Sequence, residues 1–279
     1  MLRKDLSGNA NERPFPMDAE AACAYAEKHE LHALLVIKNG HVVFERYGAG
    51  YHREAPHPLY SGTKSFWGIA ALEAQRDGIL ALDDIVVDTV SVRMLLQMTA
   101  GYGFGGLGNA VPTYEKALAT PLKTTPGDAF TYGGIPLQVF GGFLAERLRA
   151  AKITPHEYLS KRLLNPANAE ISSWRRLSDG NHPLPTGVTM TAPHWANYGA
   201  FVLAHKERYS EAFAGSRANP RYGLCWWLGA TGVPQELFYA SGSAGQGLYV
   251  VPSERLVAVH FGKSSSYKHD AFLKRLLST

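Results

Sequence analysis

PLYSGTKSFWGIAALEAQRDGIL, residues 58–80, contains Ser61-Gly62-Thr63-Lys64, a Ser-x-x-Lys motif followed at once by an apolar-periodic run. Phe66, Trp67, Ile69, Ala70 and Leu72 recur at helical spacing, and Gly78 supplies a stop. A helix starting near Ser61 places Lys64 one turn further along the same face. A hydroxyl and an amine then point into one small volume. A serine hydroxyl becomes a useful nucleophile only when a neighbouring base takes its proton. A lysine serves as that base when burial and nearby positive charge depress its pKa. The helix N-terminus adds positive potential and favours a developing oxyanion. The bland alternative makes Ser61 an N-cap and Lys64 an exposed first-turn residue. The motif alone does not separate the two, because roughly one chance match is expected in a chain of this length. Ser265-Ser266-Tyr267-Lys268 is such a match. It reads as a solvated connector, since no apolar helix face follows to bury its lysine.

Outward from the motif, the chain divides by pattern. Residues 1–14 are polar and read as loose. Asp18 to His29 has an Ala-rich face and predicts a helix. Leu31–Lys38 and His41–Tyr47 are β-rich runs joined by Asn39-Gly40, the strongest short hairpin signal. Beyond the Ser61 helix, helical patterns cover about 91–98, 135–149, 155–164 and 192–205, separated by glycine and proline loops. Strand patterns return at Cys225–Leu228, Leu237–Ala240, Leu248–Val251 and Leu256–Phe261, with a turn at 252–255 and a closing helix near 267–277. Strands at both ends and helices between them predict an α+β fold. One antiparallel sheet is assembled from the two ends, covered by terminal helices, with a helical region inserted. The expected division is a single catalytic domain over 1–279, with an α/β region of about 15–80 plus 220–279 and a helical region of about 81–219. The site is expected between the two regions, with Ser61 at their junction.

Composition supports one large globular unit: 279 residues, 46% hydrophobic and 19% charged. The formal net charge is +4, from 28 basic and 24 acidic residues without a basic block, which argues against nucleic acid as a partner. Cys23 and Cys225 lie far apart and read as small buried side chains rather than a disulfide or metal pair. No apolar run is long enough for a membrane span, and the N-terminus lacks a signal-peptide core, so a cytoplasmic location is the default expectation. Gly101-Tyr102-Gly103-Phe104-Gly105-Gly106 satisfies G-x-G-x-x-G literally. The preceding run looks helical and the following one loop-like, the wrong context for a dinucleotide site, and no cofactor is expected. His29-Glu30-Leu31-His32 is not a zinc motif, and no metal is expected. His52 and His57 lie close before Ser61, but no carboxylate is placed to orient either ring, and both read as surface or loop residues. Trp226 and Trp227 alternate on a strand, which sends one ring to the core and the other to the cleft or solvent.

Several segments together resemble the serine β-lactamase and penicillin-binding-protein superfamily, closest to its class C-like esterase and nylon-oligomer (6-aminohexanoate-dimer) hydrolase branch. They are LLVIKNGHVVFERY, LYSGTKSF, VSVRMLLQMTAGY, PGDAFTYGG, TGVTMTAPHWANYG and FYASGSAGQGLYVVPSERLVAV, in an order that runs from about residue 31 to 275. The resemblance implies a five-stranded antiparallel sheet with flanking helices and a helical region. It implies that Ser61 is acylated, that Lys64 accepts its proton, and that Tyr132 of FTYGG relays a proton to the leaving group. Ala240-Ser241-Gly242 matches the family's Lys-Thr-Gly strand, with the backbone N–H groups of Ser61 and Ser243 as the oxyanion hole. A shifted register, Ser243-Ala244-Gly245 with Gln246 as donor, is the alternative. Tyr102 and Phe104 would line an apolar pocket on one cleft wall. Two positions depart from the pattern: Gly134 replaces the asparagine of Tyr-x-Asn, and Ala240 replaces the lysine that helps recognise a substrate carboxylate. Both departures weaken β-lactam or D-amino-acid peptide chemistry and favour a small, less anionic ester or amide. A binding protein that keeps the fold without turnover is the reading from another class.

Overall fold

The computed structural model describes residues 17–278; the loose segment expected at 1–14 lies outside them. Asp18 caps the first helix, α1 (Ala19–Glu27), by accepting from the Ala21 N–H at 2.8 Å. The hairpin follows as its sequence requires: β1 (Leu31–Lys38) and β2 (His41–Tyr47) are joined by Asn39 and Gly40. Both turn residues have positive φ, 52° and 80°, the backbone a type I′ turn needs. The short β3 (His57–Pro58) leads through a 3-10 turn over Tyr60–Lys64 into α2 (Ser65–Arg76). A two-stranded ribbon, β4 (Ile85–Val87) and β5 (Val90–Ser91), precedes four helices: α3 (Val92–Leu96), α4 (Tyr114–Leu118), α5 (Ile135–Leu148) and α6 (Pro155–Leu159). The remaining elements are β6 (Ser173–Trp174), β7 (Val188–Met190), α7 (Ala192–Ala204), β8 (Trp227–Ala230), β9 (Val233–Gly242), β10 (Gln246–Val251), β11 (Leu256–Gly262) and α8 (His269–Leu276).

The main sheet has the order β2-β1-β11-β10-β9-β8, and its neighbouring strands pair antiparallel. The pairing of β1 with β11 joins the two ends of the chain, as the strand pattern predicts. The sheet has six strands, one more than the resemblance implies, because β8 extends it beyond β9. Its inner strands are buried on both faces and alternate with period two. Leu34, Val36, Tyr239, Tyr249 and Ala258 pack with α1 and α8; Leu35, Ala240, Leu248, Val250 and Val259 join the larger core with α2 and α7.

That larger core continues into Leu95 of α3 and Leu137, Phe140 and Leu144 of α5, so α2 is enclosed. Ten of its twelve residues are buried, including Glu73. The Glu73 carboxylate accepts from Arg162 at 2.8 Å and Arg208 at 2.5 Å, the pairing a buried charge requires. Several boundaries differ from the sequence expectation, among them β8 (expected at 225–228, found at Trp227–Ala230) and β9 (expected from Leu237, found from Val233). Ser61 lies in the 3-10 turn and α2 starts at Ser65; the helix expected over 155–164 passes into a π-turn at Ser160–Leu164; α8 starts at His269. A three-stranded sheet, β3-β7-β6, was not legible, since strands of two or three residues are too short to show alternation.

Candidate active site

Ser61 sits between β3 and α2, in a turn that its neighbours force to be tight. Leu59 donates to the Val188 carbonyl at 2.9 Å, and Gly62 donates back to Leu59 at 2.9 Å. Tyr60 takes φ +48°, a left-handed conformation costly for a non-glycine residue and characteristic of constrained turns. Gly62 faces Trp195, whose ring carbon would stand 2.8 Å from any Cβ there. Ser65 Oγ donates to the Gly62 carbonyl at 2.7 Å and closes the turn onto α2.

Lys64 is 1% exposed. Its Nζ lies 2.9 Å from Ser61 Oγ and 3.3 Å from the Pro185 carbonyl oxygen, and no carboxylate of the described residues is bonded to it. Burial without a counter-charge disfavours the ammonium and brings its pKa down to about 7. The Cys225 thiolate would oppose this shift, but burial pushes that thiol up to about 12, so it is neutral when the amine titrates. The exposed-lysine alternative is thereby excluded.

Tyr132 approaches from the segment before α5, with Lys64 Nζ 4.7 Å from its ring centroid. Its ring stacks on Trp227 at 5.7 Å and meets Tyr222 edge-on at 6.0 Å. Burial drives the phenol pKa above its ordinary value, and contact with Ser61 offsets part of that rise. Hydroxyl, amine and phenol therefore converge at one place. Gly134 caps α5, donating to the Gly105 carbonyl at 2.9 Å, and a Cβ at 134 would overlap the Gly106 carbonyl. The glycine loop thus occupies the space that an asparagine would use.

Ala240, Ser241 and Gly242 end β9, whereas Ser243–Gly245 turn into β10, with Ala244 at φ +61°. The strand positions are those of the first register. Gly242 is where β9 meets the Ser61 turn: a Cβ there would overlap the Leu59 carbonyl. Gln246, whose backbone N–H would be the oxyanion donor in the shifted register, is fully buried. Its side-chain amide binds the Ser243 carbonyl at 2.9 Å and the Gly262 carbonyl at 2.8 Å, holding the turn together. Ser241 faces away, toward His269 Nε2 at 2.8 Å.

The pocket pair is divided. Tyr102 is 2% exposed within the core, while Phe104 stands 78% exposed, so the two do not share a pocket wall. His57 corrects the surface reading. It is buried, stacks on Phe261 at 4.7 Å and lies 2.7 Å from His32 Nδ1, with its pKa lowered to about 4 by burial. Neither His57 nor the exposed His52 bonds Ser61. Trp226 enters the core and Trp227 backs Tyr132. In the second Ser-x-x-Lys copy, Lys268 is exposed but Tyr267 is buried against His260, a packing role its polar surroundings conceal. Pro185 and Cys225 are site neighbours the sequence did not reveal. One contributes a carbonyl and the other only a fold-dependent position. Among the described residues, no group of three or more His, Cys, Asp and Glu is placed to hold a metal, and no helix is long and apolar enough to cross a membrane.

The Beta-lactamase family model matches residues 26–276. No curated protein matches the chain. Among solved structures, EstCE1, described as a hydrolase with promiscuous acyltransferase activity, aligns with TM-score 0.76 and 15% identity over 93% of this chain and 97% of its own. A Bacillus anthracis protein described as a candidate 6-aminohexanoate-dimer hydrolase gives TM-score 0.73 and 19% identity over 91% and 79%. An octameric penicillin-binding protein homologue from Pyrococcus abyssi gives TM-score 0.72 and 19% identity over 94% and 77%. At these identities the likeness is one of fold.

Proposed function

The chain belongs to the Beta-lactamase family, and from that premise we propose that it is a single-domain serine hydrolase cleaving a small ester or amide through an acyl-enzyme on Ser61. The observation that carries this reading is the buried Lys64 amine 2.9 Å from Ser61 Oγ, with a pKa near neutrality and no carboxylate of the described residues bonded to it. A neutral amine there accepts the Ser61 proton as Oγ attacks the carbonyl. The backbone N–H groups of Ser61 and Ser243 hold the oxyanion, each worth about 3 kcal/mol in the transition state. Tyr132 then gives its phenolic proton to the departing alkoxide or amine and regains one from the Lys64 ammonium. Water attacks the acyl carbonyl, Lys64 takes a proton from it, and that proton returns to Ser61 Oγ as the acid leaves. No net proton or electron is left over.

β-Lactam and D-amino-acid peptide hydrolysis rank second, because the Gly106 carbonyl closes the space beside Gly134 and Ala240 offers no cation. Intact mass after treatment with an activated fluorophosphonate tests the reading. One adduct in the wild type and none in Ser61→Ala is expected, with p-nitrophenyl ester turnover lost in the same variant. A folded wild-type protein that forms no adduct would overturn the assignment and leave the non-catalytic binding protein.

A further inference from the structure

A cavity of about 210 Å³ opens beside the Ser61 turn. Its walls include Tyr60, the glycine-loop residues Gly108 and Asn109, and Arg175, Thr186 and Gly187 from the ends of β6 and β7. Tyr60 precedes Ser61, and Thr186 follows Pro185, whose carbonyl holds Lys64. A chain neighbour of Ser61 and a chain neighbour of the residue that binds the Lys64 amine therefore line the cavity. Arg175 is the one charged side chain among these lining residues.

The guanidinium is held in place. Its Nη2 donates to the Gly108 carbonyl at 2.5 Å, and the Arg175 N–H donates to the Gly187 carbonyl at 3.4 Å. The side-chain stem crosses Gly187, which has φ +96° and whose Cβ would come within 2.9 Å of Arg175 Cγ. A guanidinium carries five N–H donors in a rigid fork suited to a carboxylate. Gly108 uses one of the five, and no carboxylate of the described residues pairs with Arg175. By contrast, Arg93, Arg162 and Arg208 each have carboxylate partners. Ala240 alone argues for a less anionic substrate; Arg175 supplies a cation from a different wall.

We infer that Arg175 is a specificity-determining residue that receives a carboxylate of the substrate, which makes the substrate class a carboxylate-bearing ester or amide. The inference rests on Ser61 being the nucleophile. Two matched pairs locate the charge. p-Nitrophenyl hydrogen adipate against p-nitrophenyl hexanoate places it on the acyl chain; 4-acetoxybenzoate against its methyl ester places it on the leaving group. In the wild type, the anionic member of one pair has the higher kcat/KM. Arg175→Gln raises KM for that substrate by about 10- to 100-fold, the range for a charged hydrogen bond. It leaves the neutral esters unchanged, and Arg175→Lys recovers part of the loss. No preference in either pair overturns the inference, as does equal slowing of neutral and anionic esters in Arg175→Gln, which would mark the Gly108 bond as structural only. Failure of the Ser61 reading shows separately, as no neutral-ester turnover and no adduct. Calorimetric titration of adipate monoamide into Ser61→Ala protein reads the carboxylate contact without turnover, and equal affinity in the Ser61→Ala/Arg175→Gln double variant overturns the inference on that route.

Discussion

Lys64→Met removes a buried amine while keeping most of its volume, and the fold predicts that the variant is inactive yet more stable at low pH. Burial brings the lysine from an ordinary 10.5 to about 7, whereas the unfolded chain titrates near the ordinary value. At about 1.4 kcal/mol per pH unit, keeping this side chain in the core destabilises the protein by roughly 5 kcal/mol at pH 6. Between about 7 and 10.5 the unfolded chain binds a proton that the native state does not, so this penalty shrinks as pH rises. Methionine has no such dependence. Its advantage is reduced by the lost hydrogen bonds to Ser61 and Pro185, about 1 kcal/mol each, at every pH. The decisive quantity is therefore the difference between conditions. The stability gap between variant and wild type should narrow by roughly 3 kcal/mol from pH 6 to pH 9, read by urea unfolding with tryptophan fluorescence. A gap independent of pH, or a wild type more stable at both, would refute the argument that burial holds this amine near neutrality. The same ionisation gates turnover: kcat/KM should rise with pH through about 7 as Lys64 loses its proton.

Tyr132→Phe keeps the ring on Trp227 and removes only the phenol oxygen, so Tm should hold while kcat falls by about 10²–10⁴. The loss should be larger for alkyl esters, whose leaving groups need a proton, than for p-nitrophenyl esters; equal losses across a leaving-group series would remove the relay role. Gly134→Asn restores the family residue but drives its Cβ into the Gly106 carbonyl. It should lower stability by about 1–3 kcal/mol, visible as a lower Tm, without creating hydrolysis of a chromogenic cephalosporin. An unchanged Tm would show that the glycine loop does not fill that space.

Much of the architecture was legible because its signals are local. Asn39-Gly40 permits the two positive φ angles of a tight hairpin, so both strands appear with the expected limits. The sheet assembled from both chain ends follows from strand patterns at the two ends and helical ones between. The proximity of Ser61 and Lys64 needed only one turn of tight helical backbone, and the 3-10 turn observed serves as well as an α-helix.

What the sequence by itself determined is therefore the strands of the main sheet, the order of the long helices and the pairing of hydroxyl with amine. The tertiary structure alone decided the rest, because the deciding neighbours lie far away in the chain. Lys64 loses its charge preference through enclosure and finds the Pro185 carbonyl. Gly134 stays glycine because a loop some thirty positions earlier presses on it, a spacing of the order that only folding brings to contact. His57 is buried by a strand from the opposite end, and Arg175 reaches the cavity beside Ser61 across a sheet of strands too short to announce themselves. Hydrophobic period and turn chemistry are written along the chain, whereas desolvation, steric exclusion and an unpartnered charge are properties of the volume around a side chain.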